Sequence, residues 1–430
     1  MQIHVVQKGQ TLYRIAQTYG VSVDTIATAN EMTPSQSLVI GQALVIPIAG
    51  SYYWVQPGEG LYMIARKLGI DLHTLASVNG LTMYQSLPVG FRLYIPPTPR
   101  KQAEVNAYLE PRGTDVSPVL IQSAKEAAPH LTYLAPFSFR IKRDGTLQAP
   151  QLDDLSGIAS QNGVTMMMVV TNLEKDQFSA ELGHIILTDE TVQNHLLQNI
   201  KSTAKQYGFR DIHFDIEHLF PDDRDAYNRF LRKAAEQIHQ EGYLMSTALA
   251  PKTSAAQAGA WYSAHDYKAH GQIADFVVIM TYEWGYSGGP PMAVSPIGPV
   301  RKVLEYAISE MPASKVMMGQ NLYGYDWTLP YVKGGPFAKA VSPQAAIDLA
   351  RKYHAQILYD YTAQAPHFNY WDDAGKEHTV WFEDARSIQA KFRLLKELGL
   401  RGISYWKLGL KFPQNWLLLE ENFKVVKRTT

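Results

Sequence analysis

Four ionisable side chains stand at alternate positions in Asp211-Ile212-His213-Phe214-Asp215-Ile216-Glu217, with apolar residues between them. A period of two is that of a β-strand, so the two sets point to opposite faces. The apolar face can pack beneath helices. The other carries Asp, His, Asp and Glu in a row, spaced about 6.6 Å apart. Burying so many ionisable groups is costly unless they are paired, shifted in pKa or used in catalysis. A solvated edge strand would show the same alternation, but Ile-Phe-Ile opposite the charges favours an interior strand. The row therefore reads as a site for proton-transfer chemistry.

A strand of this kind needs a scaffold. From about residue 103 to 430, short apolar runs alternate with amphipathic helical patterns. The strand candidates are Glu104–Leu109, Leu131–Phe137, Val164–Val170, Ile212–Glu217, Leu244–Ala250, Phe276–Glu283, Val316–Tyr323 and Ile403–Trp406. Helix candidates among them include Thr191–Tyr207, Asp223–Gln240, Val300–Glu310 and Asp384–Leu398. Eight strands in βα alternation predict a (β/α)8 barrel, an α/β fold. A doubly wound open sheet is the alternative, but no G-x-G-x-x-G follows a strand. Residues 328–382, rich in Tyr, Pro and Gly, read as a loop insertion on the rim. In a barrel, sites gather at the carboxyl ends of the strands. Glu217 then lies at the mouth, with Asp215 one pleat deeper.

Composition narrows the partners. The chain of 430 residues is 46% hydrophobic and long enough for two or three domains. Lys plus Arg and Asp plus Glu each number 40, so zero net charge gives no electrostatic reason to expect nucleic acid or an anionic membrane. The 13 His show no ligand spacing, so neither metal nor other cofactor is expected. The absence of Cys excludes disulfides and thiolate catalysis. The first residues lack the apolar run of a secretory signal, and no stretch is apolar enough to span a bilayer, so synthesis into the cytosol is expected. Gly285-Tyr286-Ser287-Gly288-Gly289 fits G-x-S-x-G, but Pro290-Pro291 follows where a helix would be required, so it reads as an irregular loop.

Residues 1–97 contain an internal repeat. Val6, Gly9, Leu12, Tyr13, Ile15, Ala16 and Gly20 recur 49 positions later as Val55, Gly58, Leu61, Tyr62, Ile64, Ala65 and Gly69. Asn30, Leu38, Gly41, Leu44, Ile46 and Pro47 recur in the same way. A constant offset without insertions means two copies of one module, each reading strand, helix, short helix, strand. The pattern V-x-x-G-x-x-L-x-x-I-A, the Asn closing the second helix and the final L-x-I-P resemble the LysM module, a βααβ unit that binds N-acetylglucosamine-containing glycans such as peptidoglycan and chitin. The resemblance implies modules at 1–48 and 50–97. It also implies a sugar groove along Gly9, Thr11, Leu12 and Asn30 in the first, and along Gly58, Gly60, Leu61 and Asn79 in the second. A protein-interaction repeat of the same fold is the alternative. Residues 98–102, proline-rich, read as a semi-rigid linker to a catalytic domain at 103–430.

Arg210 to Glu217 resembles the D-x-x-D-x-D-x-E signature of glycoside hydrolase family 18. Other stretches match where that family places them: Thr171-Asn172 after the third strand, Ala250-Pro251 after the fifth and Met280-Thr281-Tyr282-Glu283-Trp284 after the sixth. Tyr323 to Trp327 follows the seventh, Trp406 ends the eighth, and Val380 to Ser387 opens the last helix before Trp406. The resemblance implies substrate-assisted retention, in which the 2-acetamido oxygen of the sugar attacks C1, an exception to the two-carboxylate scheme. It implies Glu217 as general acid, Asp215 as the carboxylate that holds the acetamide N–H, and Tyr282 as donor to the acetamide oxygen. Trp406 would floor the subsite. Glu283, Trp284, Asn172, Asn321 and Tyr323 are candidate substrate contacts. The sequence departs from the signature at two places: Arg210 replaces its first Asp, and His213 the Asp two residues before Asp215. His213 is expected to contact Asp215 or the substrate, and its protonation to shift the acid limb of the pH profile.

Two LysM modules before such a barrel resemble the subgroup of the family that cuts spore cortex peptidoglycan during germination. This implies an N-acetylglucosaminidase placed at the coat–cortex boundary of the spore, without membrane span or cofactor. A chitinase, and a barrel that only binds glycan, are the alternatives. Retention of Glu217 argues against the last.

Overall fold

The alternation at 211–217 separates as its chemistry dictates. Ile212 and Phe214 of the strand Asp211–Asp215 are fully buried outside the barrel. Phe214 meets Phe230 of helix Arg224–Gln240 edge-on at 5.4 Å. His213 and Asp215 face inward. In this computed structural model, which describes residues 1–428, that strand is the fourth in a ring of eight parallel strands. The others are Lys101–Leu109, Tyr133–Pro136, Thr165–Thr171, Leu244–Leu249, Phe276–Ile279, Val316–Asn321 and Gly402–Trp406. Each pairs with its neighbour in sequence, and the eighth closes on the first through Gly402–Glu104 to Tyr405–Ala107. The (β/α)8 barrel expected from the βα alternation is therefore present. Its lumen is filled by Tyr108, Tyr133, Met167, Val169, Phe276 and Met317, so it is a packed core rather than a pore. At its foot, Arg401 and Arg428 both clamp Glu104.

Local signals set the helix ends. Asp189 accepts from the N–H groups of Thr191 and Val192, which starts helix Glu190–Tyr207, and Gly208 stops it at φ 75°. Asp384 and Ser387 form a reciprocal cap on helix Ala385–Leu398.

Two boundaries differ from the sequence reading. The first barrel strand begins at Lys101, because Lys101 to Ala103 pair with Phe423–Val425 at the chain's far end; the linker is correspondingly short. Residues 324–381 are not a loop. They build a five-stranded antiparallel sheet with helix Pro343–Lys352 packed on it, around Val341, Ile347, Phe368, Tyr370 and Val380. Of its tyrosines, Tyr370 lies in that core and Tyr353 packs against it. Residues 285–289, the G-x-S-x-G stretch, do form an irregular loop.

Each LysM repeat folds as βααβ, its outer strands antiparallel. Asn30 and Asn79 do not face a groove. Asn30 Oδ1 accepts the Val45 N–H at 2.9 Å while its amide donates to Ile26 and Val45 carbonyls, and Asn79 repeats these contacts. Each therefore pins the second helix to the closing strand. Leu12 and Leu61, 4% and 2% exposed, are likewise module core. Thr11 and Gly60 cap the first helices, and Gly9 and Gly58 turn the chain at φ 80° and 79°. The first module is docked on the barrel: Met1 N pairs with Glu421, Arg386 donates to Gly41 O and Ile357 N–H to Ile40 O. Among the described residues no helix is long and apolar enough to cross a membrane.

Candidate active site

A cavity of about 790 Å³ opens at the carboxyl ends of the barrel strands. Its walls include Asp215, Glu217, Tyr282, Glu283 and Trp406 together with Tyr108, Phe137, Trp261 and Met280. The strand carrying the acids ends at Asp215, so Glu217 sits on the first turn of the following loop. Its peptide is held from both sides by Asn172, whose Oδ1 accepts the Glu217 N–H at 3.0 Å and whose amide donates to the Glu217 carbonyl at 2.9 Å. The next residue, His218, has φ 54°, and Glu283 after Tyr282 has φ 67°. Non-glycine residues in that region cost on the order of 1 kcal/mol, and such strain clusters at functional sites.

Asp215 and Glu217 are both 6% exposed and share a side-chain hydrogen bond. Burial pushes the Asp215 carboxyl up to about 7, its bond to Glu217 pulling the other way. Glu217 is driven further up, by burial first and by the Asp215 charge second. Asp215 thus ionises first and Glu217 keeps the shared proton, the division of labour an acid and its electrostatic partner require. Trp406 ends the eighth strand and is braced by Phe137 and Tyr108, at 4.8 and 5.6 Å between ring centroids. No hydrogen bond ties the Tyr282 hydroxyl to the described residues.

Five expected contacts do not reach this cavity. His213 is fully buried one pleat below, where its Nε2 lies 2.8 Å from Tyr108 Oη and its Nδ1 2.8 Å from Ser246 Oγ. Both ring nitrogens are taken, so none is left for Asp215, and burial lowers its pKa to about 3. A ring that stays neutral across the working range sets no limb of the pH profile. Asn172 acts on the Glu217 backbone. Asn321 is buried, donating to the Tyr323 carbonyl at 2.7 Å. Tyr323 donates its hydroxyl to Glu283, as does Tyr325 at 3.0 Å. Trp284 lines a separate cleft with Pro251, Tyr262 and Val303. The sequence reading missed Tyr108, Ser246 and Trp261. Trp261 stands beside Tyr262 in a loop rich in Ala, Ser and Gly, and no spacing singled it out.

Asp211 lies deepest in the row. Its Oδ1 accepts from Ser246 at 2.7 Å and its Oδ2 has no partner among the described residues. Burial raises its pKa from 3.8 to about 7. The folded value lies above the unfolded one, so the associated stability is complete below about pH 4 and is lost as pH rises through 7. At about 1.4 kcal/mol per unit, the cost above pH 7 approaches ~4 kcal/mol. Asp211→Asn is expected to melt several degrees above the unsubstituted protein at pH 8 and close to it at pH 4, read by calorimetry at the two pH values.

Comparison with known proteins matches both parts of the chain. The LysM domain profile matches residues 4–47 and 53–96. A cortical fragment-lytic enzyme of Bacillus subtilis (strain 168) is 66% identical over 429 residues, covering 100% of both chains. A relative from the same organism, named "Putative sporulation-specific glycosylase YdhD", is 35% identical over 97% of this chain and 98% of its own. The crystal structure of the Bacillus cereus spore cortex-lytic enzyme SleL superimposes with a TM-score of 0.93 at 53% identity, over 99% of this chain and 98% of that one. The profile for glycosyl hydrolases family 18 covers residues 109–410, from the end of the first barrel strand to just beyond the eighth, and the chain belongs to that family of glycosidases.

Proposed function

We propose that this glycosidase hydrolyses N-acetylglucosaminyl linkages of spore cortex peptidoglycan, with retention, through an oxazolinium ion formed by the substrate's own acetamido group. The carrying observation is the placement of the two carboxyls. A retaining enzyme that supplies its own nucleophile sets its acid and nucleophile across the sugar, about 5–5.5 Å apart. Asp215 and Glu217 instead lie side by side and hydrogen-bonded, so no ring fits between them. Glu217 donates its proton to the glycosidic oxygen as the C1–O bond breaks, and the acetamide carbonyl oxygen bonds to C1. Asp215 Oδ1, buried and unpaired among the described residues, accepts the acetamide N–H and balances the positive charge. Tyr282 donates to the acetamide oxygen. Glu217, now ionised, takes a proton from the water that opens the ring.

The cortex as substrate is supported by the relatives: the two with the highest coverage named above are called cortex-lytic or cortical fragment-lytic. A place at the spore coat–cortex boundary is part of the same proposal. The LysM modules fit the same polymer. The test is digestion of purified cortex peptidoglycan. NMR of the first products is expected to show new β-N-acetylglucosamine reducing ends. Initial α-products would refute the mechanism, and new muramic reducing ends the linkage assignment.

A further inference from the structure

Trp261 touches the catalytic carboxyl, and none of the roles above uses it. Its indole N–H donates to Oε2 of Glu217. The other polar contact of that carboxyl is Asp215. A carboxyl held on both sides directs no proton into the cavity. Yet a general acid must offer one oxygen to the glycosidic oxygen, and the Trp261 N–H occupies one of the two.

The segment that carries Trp261 is built to release it. Residues 251–266 join the fifth strand to helix Tyr267–Ile273, and both ends are tied down. His265 Nδ1 accepts the Ala250 N–H at 2.9 Å while its Nε2 donates to the Ile216 carbonyl at 3.0 Å. Lys252 Nζ donates to the His265 carbonyl at 3.0 Å. Between these anchors, residues 253–256 and 258–260 are exposed, and Trp261 itself rests, partly buried, on the His218 ring at 6.3 Å, almost parallel to it.

We propose that Trp261 is a further substrate-facing residue of this site: its indole N–H holds Oε2 of Glu217 until the glycosidic oxygen displaces it, and the displaced ring then walls the leaving-group side of the cleft. The side follows from the chemistry, since a leaving oxygen that takes the indole's place on Oε2 stands where the ring stood. The inference rests on Glu217 being the general acid. An N–H donated to a carboxylate favours the charged form, so this contact pulls the Glu217 pKa down, against burial and Asp215. The other titratable groups around Glu217 are Tyr108 from the first strand, Tyr227 from helix Arg224–Gln240, Tyr282 after the sixth strand, and His218 and His265 beside it. Burial keeps all five neutral through the neutral range, so they add no competing limb.

The test is the pH dependence of Trp261→Phe on soluble glycan strands from cortex peptidoglycan. The variant keeps a ring and loses the N–H. kcat/KM reports the free enzyme and kcat the complex. The alkaline limb of kcat/KM is expected to move up by about one pH unit, the size of one charge-assisted hydrogen bond, while the limb of kcat stays in place. Trp261→Ala should show the same split with a raised KM, and stands in if the Phe variant does not fold. Profiles that superimpose on those of the unsubstituted enzyme, or limbs of kcat and kcat/KM that move together, overturn the proposal. Glu217→Gln assayed in parallel separates the two failures: an active Gln variant sinks the assignment of the acid, an inactive one leaves only Trp261 in question.

Discussion

Glu217→Gln is expected to lower reducing-end release from cortex peptidoglycan by about 10³-fold, within the span that general acid–base catalysis supplies. The amide preserves the surroundings: its oxygen can accept the Trp261 N–H and its NH2 can donate to Asp215, so fold and substrate affinity are retained. What it cannot do is surrender a proton to an oxygen with a sugar leaving group. The loss is therefore expected in kcat, with KM within a few-fold. Retention of a tenth of the rate, measured on protein with an unchanged melting temperature, would remove Glu217 from the role.

Asp215→Asn should cost about 10²-fold in kcat and move the alkaline limb downward. The amide oxygen can still accept the acetamide N–H, so positioning survives in part. The negative charge is gone, and with it the balance to the cation at C1, a contribution comparable to one well-placed transition-state donor. The same charge is the second cause of the raised Glu217 pKa. Without it, Glu217 loses its proton at lower pH, so the upper limb of the kcat profile falls earlier. A rate loss without that movement would mean that Asp215 acts only by geometry. These two results, with the opposite shift expected of Trp261→Phe, test the dyad from both sides.

The docking of the first LysM module bears on how such a dyad meets an insoluble polymer. Gly41 bonds to Arg386 of helix Ala385–Leu398 and Ile40 to Ile357 of the inserted 324–381 segment, and Lys411 pairs with Glu31. The first module thus forms one surface with the catalytic domain. The second touches the first through Arg92 to the Thr18 carbonyl and through Tyr52 stacked on Tyr19.

The strand 211–215, the eight-strand barrel and the repeat were legible in the sequence, because each is written in periodicity: two for a strand, 3.6 for a helix, 49 positions for the modules. Burial acts on such patterns residue by residue, so the side a residue faces follows from its place in the run. The Asp215–Glu217 pair was legible for the same reason, two positions apart on one inward face. The sheet at 324–381 was not, since its strands pair with partners up to 56 residues distant, Tyr325 with Trp381, and no local period records that. Nor was the role of His213: its neutrality depends on Tyr108, 105 residues away, and Ser246, 33 away. Asn172, Asn30 and Asn79 stood where contacts with sugar were expected, yet their amides serve backbone groups that would otherwise go unpaired in the interior. Alternation along the chain thus determined which side chains enter the barrel, whereas only the closure of strands one, four and five around a common axis decided which of them meet the cavity and which satisfy one another.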